Sequence, residues 1–569
     1  MLESRRSYLS GAFFLVATNG FALLIPWLLK LAVESLQSPR TAPHSPSFYG
    51  GLIICAALLH GGVRVFSRTT LLHAARRIEY RIRDDLYAKL LTLDQSFFAG
   101  ERTGDLISRF SNDLTNVRML VGFGVLNIIN SLVLYIAALA LMIRLSPTLT
   151  LYAVLPFPAM IFVVKRMSAS MFRRSKRSQE ELARLTSAVE ENVSAAPLIK
   201  AYCREAAAIG SFREASERYM ASNMRVAQLR GFMIPVMAAT GALGTLIVLL
   251  VGGGKVVSGV LTLGDFVAFN GYLAMLIWPT IMLGWILNLS QRGAASMERL
   301  NWILAAVPRV SEPAEPAAVA KLQGEIELCN LVFAYGAETV LRGISLKIAR
   351  GSRLGIVGPI GAGKSTLVRM LARLHPVEDG MIRIDGIDIN RIPITTLRNS
   401  IGFVPQEGFL FSRTIAENVT YGREGANNEK MTAAARMAGL HDEVSRFPDG
   451  YETLVGERGI TLSGGQKQRT SIARALIKDP AILILDDPLS AVDAHTEEEI
   501  LTNLAGYYGS RTVIIVSHRI SALRDCDLIV AIEDGRIVEQ GSHVRLLEID
   551  GRYAQLYREQ QLLREIESY

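Results

Sequence analysis

Leu354-Gly-Ile-Val357 running into Gly358, Pro359, Ile360, Gly361, Ala362, Gly363, Lys364, Ser365 and Thr366 is the stretch that decides the fold. The first four residues read as a strand, and the sequence after Thr366 has helical patterning. The spacing is therefore GxxxxGK[ST] in a strand–loop–helix setting. Glycines let backbone N–H groups curl around phosphate oxygens where a side chain would collide. The helix N-terminus adds positive potential, Lys364 neutralises the β- and γ-phosphates of ATP, and Ser365 can coordinate Mg²⁺. Working outward, a second apolar strand, residues 481–485, ends at Asp486. A carboxylate at that strand end lies beside the nucleotide cleft, where its task is to hold Mg²⁺ through water. Between the two, Leu462-Ser463-Gly464-Gly465-Gln466 precedes a helix starting near Lys467. Adjacent glycines at a helix N-terminus form a second anion cradle. One ATP does not need two cradles in one domain, whereas two ATPs shared between two opposed domains would use both.

The first half of the 569-residue chain is different in kind. Hydrophobic residues make up 50% of the whole, yet the long apolar runs crowd the part before residue 300. A bilayer core takes about 20 helical residues. Candidate spans are 11–33, 49–70, 119–143, 146–165, 231–254 and 262–288. The third and fourth are joined by a few residues around Arg144 to Pro147, the fifth and sixth by a short turn around Lys255 and Gly259. The connections 71–118 and 166–230 are long, polar and helical in pattern. They hold Arg76, Arg77, Arg81, Arg83, Lys89, Arg102, Arg109 and Arg118, then Arg173, Arg174, Lys176 and Arg177, against Arg40, Arg144 and Lys255 on the opposite loops. Basic residues gather on the cytoplasmic side, so the long connections are cytoplasmic and the hairpin turns external. Everything after about residue 300 then lies in the cytoplasm.

The formal charge of +8 belongs to this membrane asymmetry, since no basic arm or aromatic-basic stripe suggests nucleic acid. Cys55, Cys203, Cys329 and Cys526 are far apart and form no CxxC or Cys/His cluster, which points to free thiols and no metal site. No cleavable signal is evident, and the first apolar stretch is long enough to remain as an anchor. A Pro- and Ala-rich stretch, Pro308 to Val319, has linker composition. The expected organisation is a six-helix transmembrane domain over 1–307 with cytoplasmic coupling regions, a linker over 308–322, and an α/β P-loop domain over 323–569.

Leu462 to Gln466 resembles the signature motif of ABC ATPases, and further positions agree with that family. Tyr335 stands where the family places an aromatic that stacks on adenine. Gln406 in Phe403-Val-Pro-Gln406 matches the glutamine that reaches toward Mg²⁺ and the attacking water. Ser490-Ala-Val-Asp493 resembles the D-loop, His518 the switch histidine at the γ-phosphate, and Val455-Gly-Glu-Arg-Gly459 the X-loop with which exporters sense their membrane domain. Residues 97–118 look like the first cytoplasmic coupling region of ABC exporters, and residues 198–214 occupy the place of the second. Fusion of the six-span domain ahead of the cassette is similar to exporters of the type IV fold. The resemblance implies ATP-driven alternating access with ATP and Mg²⁺ as cofactors. It also implies residence in a bacterial inner membrane with the ATP-binding domain in the cytoplasm.

Asp487 departs from the family pattern, which places there a Glu that polarises the hydrolytic water. Losing one methylene retracts the carboxylate by about 1.5 Å, and misplacement on that scale can cost about 10²-fold in rate. The string Asp486 to His495 resembles the first cassette of multidrug-resistance-related ABC proteins and one subunit of bacterial heterodimeric exporters, in which a weakly hydrolytic site accompanies an intact signature. In the head-to-tail sandwich of the family, Ser463, Gly464, Gly465 and Gln466 would complete a site on a partner chain. A heterodimer with a homologous half-transporter is thus expected. A homodimer in which Asp487 suffices stays open, as does an ATP-gated channel or regulator. Cargo is not specified: the spans carry no charged constellation marking an ion path. Phe14, Trp27, Tyr135, Phe232, Tyr272 and Trp278 would suit an amphipathic compound or lipid, and equally serve as packing residues.

Overall fold

The structure, a computed structural model, describes residues 5–37, 43–456, 459, 461–489, 492 and 494–567, with side chains throughout except at 160, 161, 164, 168, 234, 237, 238, 240, 241, 283, 494, 495 and 563–567. Two compact units form. One comprises Met1–Leu91 and Arg102–Ala306, the other Thr92–Glu101 and Val307–Tyr569. In chain order the helices begin with α1 (Arg5–Gln37), α2 (Pro46–Thr92), the short α3 (Gln95–Gly100) and α4 (Thr103–Leu145). There follow α5 (Pro147–Val154), α6 (Pro156–Ser194), the short α7 (Ala196–Ala201), α8 (Glu205–Ile247) and α9 (Leu263–Ala305).

All of these but α3 belong to the first unit. Among the described residues, α1, α2, α4 and α9 are long and apolar enough to cross a membrane. The expected spans 146–165 and 231–254 fall on α5, α6, α8 and its helical continuation to Val257, which include positions without described side chains. Residues 146–165 are not one helix: Leu155 separates α5 from α6, where Pro156 offers no N–H for the ladder. The polar connections are helical stalks continuous with the apolar spans. The 47 residues of α2 reach about 70 Å at 1.5 Å per residue, more than twice a hydrocarbon core of about 30 Å.

Local chemistry sets the helix ends. Ser146 is extended and caps α5 by accepting from Leu149 N at 3.3 Å, with Pro147 in the first turn. Thr262 and Asp265 form a reciprocal capping box at the start of α9. Two buried acids tie the stalks together. Asp113 of α4 accepts from Arg299 Nε and Ser296 Oγ of α9, both at 2.9 Å. Glu79 of α2 is met by Arg118 of α4 at 3.2 Å and by Arg83 at 3.1 Å. Each carboxylate is thus taken out of water only where a guanidinium satisfies it.

The second unit contains two sheets. β1 (Ile326–Tyr335), β2 (Glu338–Ile348), β4 (Ile382–Ile384) and β5 (Ile387–Asp388) make an antiparallel sheet in the order β2-β1-β4-β5. β3 (Arg353–Val357), β6 (Ile401–Val404), β7 (Ile482–Asp486), β8 (Thr512–Val516), β9 (Leu528–Glu533) and β10 (Arg536–Gly541) make the other, ordered β10-β9-β3-β8-β7-β6. All its pairings are parallel except β10 with β9. Every residue of β7 and of β8 is buried, which is why these strands read as unbroken apolar runs. α3 packs in this unit although it comes from the first half of the sequence. Asp94 caps it by accepting from Ser96 N at 3.0 Å, and its other oxygen accepts from Arg309 N at 2.7 Å.

Candidate active site

Four neighbouring parallel strands, β3, β8, β7 and β6, deliver their C-terminal ends to one edge of the sheet. The Gly358–Thr366 loop follows β3, His518 follows β8, Asp486 ends β7 with Asp487 next to it, and Gln406 follows β6. A crevice at the carboxyl ends of such strands is where α/β sheets bind ligands. The loop after β3 leads into the helix α10 (Lys364–Leu371). Glycine is compulsory at two of its positions. At Gly358, φ is 155° and a Cβ would meet the Ile532 carbonyl oxygen at 2.1 Å. Gly363, the N-cap residue of α10, has φ 94° with Leu341 Cδ2 2.8 Å from where a Cβ would stand. Pro359, Ile360, Gly361 and Ala362 complete the turn, with Ile360 almost wholly exposed and Ala362 buried.

Lys364 is buried and donates from Nζ to the carbonyl oxygens of Gly358 and Pro359, both at 2.8 Å. An ammonium has three donors, so one remains for an anion. Burial pushes the Lys364 pKa below its ordinary value, against the pull of Asp487 and Asp486. Asp486 is wholly buried. Its Oδ1 accepts from Ser365 Oγ at 2.9 Å, while Oδ2 has no hydrogen-bond partner. Burial raises its pKa, opposed by the Ser365 hydrogen bond. An orphaned buried carboxylate oxygen beside a serine hydroxyl is the donor set a hard cation takes. Among the described residues no cluster of three or more His, Cys, Asp or Glu side chains could hold a metal alone. The remaining positions of such an ion would fall to phosphate oxygens and water.

Asp487 has φ 47°, and its N–H donates to the Val516 carbonyl at 2.8 Å. This left-handed conformation is one that Asp and Asn tolerate better than longer side chains do. His518 is half-buried; burial and the nearby Lys364 hold its pKa below the usual histidine value. Gln406 is exposed at the end of β6. Tyr335, the last residue of β1, places its hydroxyl 3.1 Å from His375 Nε2 and 3.5 Å from Thr366 Oγ1, with its ring edge-on to His375.

The second cradle also forms. Ser463 N-caps the helix α11 (Gly464–Leu476), accepting from Gln466 N while its own N–H donates to Gln466 Oε1 at 2.8 Å. Gln466 also donates to Glu443, which Arg469 pairs with in turn. Leu462 is buried and anchors the turn; Ser463 and Gly464 are exposed.

Models of the ABC transporter transmembrane region and of the ABC transporter match residues 8–280 and 341–490. The chain is 36% identical over 558 residues to YheI of Bacillus subtilis, a probable multidrug resistance ABC transporter ATP-binding/permease protein, covering 98% of this chain and 95% of that one. The chain belongs to the ABC transporter family. MdlA of Escherichia coli, a multidrug resistance-like ATP-binding protein, is 35% identical over 98% of this ABC transporter and 95% of MdlA. An ATP-dependent lipid A-core flippase of Syntrophus aciditrophicus is 33% identical over 94% and 89% of the two chains. Among solved structures, a bacterial Atm1-family ABC exporter with ATP bound superposes with a TM-score of 0.82 at 28% identity, covering 98% of this chain and 99% of that one. This ABC transporter is therefore a membrane protein of the exporter half-transporter type, an ATP-binding ATPase coupled to transport.

Two expected motifs fall partly outside the described residues: Glu457 and Arg458 of the Val455–Gly459 loop, and Ser490, Ala491 and Asp493 of the D-loop. Two residues that the motifs did not identify adjoin the site of this ABC transporter. His375 backs Tyr335. Gln560, in the last helix, donates to the His518 carbonyl at 2.6 Å and accepts from Ile520 N at 2.9 Å, clasping the loop that carries the switch histidine. Neither belongs to a spaced motif, so no local pattern in the sequence marks them.

Proposed function

We propose that this chain is one half of a heterodimeric exporter that moves an amphipathic compound, lipid or peptide by ATP-driven alternating access. Its own nucleotide site binds ATP tightly and hydrolyses it slowly. The observation that carries this reading is the pairing of Asp487 at the catalytic position with a fully formed Ser463–Gln466 cradle whose first two residues are exposed. The drug and lipid exporters among its relatives support the cargo class. The membrane domain covers 1–307 with six crossings, 308–322 is a linker, and 323–569 is the ATP-binding domain, facing the cytoplasm from a bacterial inner membrane.

Tyr335 stacks on adenine, and Gly358 to Thr366 wrap the phosphates with backbone N–H groups. Lys364 places its remaining N–H on the β/γ oxygens, an attraction that also restores its charge in a buried setting. Ser365, Asp486 and Gln406 would hold Mg²⁺, which would supply neutralising charge to the β- and γ-phosphates. His518 offers a ring nitrogen to the γ-phosphate, and Asp493 is assigned to the D-loop. Asp487 holds the attacking water as a weakened base. Ser463 to Gln466 present helix-end N–H groups to the ATP held by the companion chain, whose Glu does most of the hydrolysis. Closure around two ATPs draws the cytoplasmic stalks together, and hydrolysis releases them.

A homodimer in which Asp487 works unaided is favoured by one observation, the φ of 47°, which suits an aspartate. Purifying the chain alone and with its companion decides between the two. The heterodimer reading expects slow hydrolysis by the chain alone and fast hydrolysis by the pair. Ordinary exporter turnover by the chain alone, abolished by Asp487→Asn, would sink it. Uptake into inside-out vesicles against a gradient separates a pump from a gate, which can only dissipate one.

A further inference from the structure

Phe333 and Tyr335 are two apart on β1 and so share one face of the strand. His375 closes against both. Its ring is edge-on to Tyr335 at 5.3 Å between centroids and tilted against Phe333 at 5.2 Å, while the Phe333 and Tyr335 rings meet edge-to-face at 4.9 Å. Aromatic rings attract at such separations. Tyr335 is 41% exposed, whereas His375 is 3% exposed. The imidazole is a buried support and the phenol ring an open platform. His375 Nε2 lies 3.1 Å from the Tyr335 hydroxyl, while Nδ1 has no hydrogen-bond partner among the described residues. A buried ring nitrogen left unmatched costs stability that an apolar ring in the same place would not. Packing alone therefore does not call for a histidine here; the hydroxyl of Tyr335 does. The chain that carries His375 is the continuation of α10, and it turns back at Arg373, which is left-handed at φ 46°. That turn is pinned twice: the buried Arg373 guanidinium donates to the Ser311 carbonyl at 3.1 Å, and Arg398 Nη2 donates to the Arg373 carbonyl at 2.9 Å. The Tyr335 hydroxyl thus stands between His375 Nε2 and, at 3.5 Å, Thr366 Oγ1 in the first turn of α10. The element that presents Lys364 and Ser365 also holds the platform.

We propose that His375 is a positioning residue for the nucleotide base: it sets the place and tilt of the Tyr335 ring relative to the phosphate loop, and so makes this chain's site prefer a nucleoside triphosphate to a bare polyphosphate. Tyr335 is the last residue of its strand, followed by Gly336 at φ 61°, and its backbone alone leaves the ring a choice of staggered rotamers. The bond to His375 selects one. A ring already held in its bound orientation does not have to be immobilised when the base arrives, which is affinity gained by preorganisation. His375 acts through Tyr335 and is assigned no contact with base or phosphate. The inference rests on the reading of Tyr335 as the adenine platform and deepens it.

The test uses the assembled transporter and a radiolabelled ATP that carries a photoreactive azide on adenine. After labelling, the chains are separated so that this chain's site is read alone. Half-saturation of labelling reports binding with the base, and competition by inorganic tripolyphosphate reports the phosphate cradle without it. His375→Phe keeps a ring and removes the hydrogen bond. It is expected to raise the half-saturation about three- to tenfold, the effect of one hydrogen bond, and to leave the inhibition constant of tripolyphosphate within about twofold. His375→Gln, which offers the hydroxyl a partner again, recovers part of the loss. Tyr335→Phe removes the same bond from the other end and should match His375→Phe, and the double variant Tyr335→Phe/His375→Phe should bind no more weakly than either single one. An unchanged half-saturation in His375→Phe overturns the inference. So does an equal loss for tripolyphosphate, which a damaged local fold would give, and so do additive losses in the double variant, since the two groups would then act separately. If His375→Phe fails to assemble, Tyr335→Phe decides by the same two constants. Tyr335→Ala separates the inference from the reading beneath it. Labelling with unchanged half-saturation in that variant overturns the adenine platform and the inference together; half-saturation raised there but unchanged in His375→Phe overturns the inference alone.

Discussion

Asp487 is one methylene shorter than the glutamate its family places there, and its left-handed backbone fixes where the carboxylate can reach. Restoring the reach by Asp487→Glu is expected to raise ATP turnover of this chain's site by about 10- to 100-fold, read as single-turnover hydrolysis in the assembled pair. His375 makes a second prediction at this scale. Burial, with Arg369 nearby, holds its pKa below the ordinary value against the pull of Asp94. The folded state therefore binds fewer protons than the unfolded chain. The associated stability is present above the ordinary histidine pKa of about 6.5 and is lost as pH falls through and below it. Thermal unfolding followed from pH 7.5 to 5.5 should show this loss, and His375→Gln should shrink it. A pH dependence identical in both proteins would dissociate His375 from the effect. The loop residues Gly358 to Thr366 and Asp486 stand out in the sequence because phosphate chemistry demands those types at that spacing, and the structure places both at the carboxyl edge of the parallel sheet. Gln560 and His375 were not, since each acts through a single tertiary hydrogen bond that leaves no local pattern.

Elements differ in how plainly they announce themselves. β3, β7 and β8 are buried on both faces and read as apolar runs. The 146–165 stretch reads as one span by hydropathy, and only the backbone consequence of Pro156 divides it. The helix of residues 552–567 hides its purpose, which is to hold the His518 loop through Gln560. Gln560→Ala should lower kcat by about 10-fold through misplacement of His518 while leaving the KM for ATP within about twofold. Steady-state kinetics of the pair reads both, and a rise in KM with kcat intact would assign Gln560 a different role. Between α4 and α9, Asp113→Ala would leave Arg299 without its two-point partner. The expected cost is about 1–3 kcal/mol, the range for an orphaned charged group that is partly solvated, read as a lower Tm of the detergent-solubilised transporter.

For the molecule as a whole, charge asymmetry fixed the expected orientation, and thiols can test it. Cys203 is exposed just beyond α7, on a stretch assigned to the cytoplasm, and burial pushes the Cys526 thiol up to about 12. A membrane-impermeant maleimide should label Cys203 in inside-out vesicles but not in right-side-out ones, and should spare Cys526 in both. Labelling of Cys203 from the outside would invert the topology. The two-part organisation was readable from composition. The one displaced piece was not: Thr92–Glu101 carries the patterning of its stalk neighbours yet joins the later unit.

That exchange bears on how the chain is made. The segment capped by Asp94 emerges from the ribosome about 200 residues before Arg309 and the rest of its binding surface exist. At roughly 5–20 residues per second it waits some 10 to 40 seconds undocked. The early helices must insert while this short stretch stays loose, and the later-made unit then captures it.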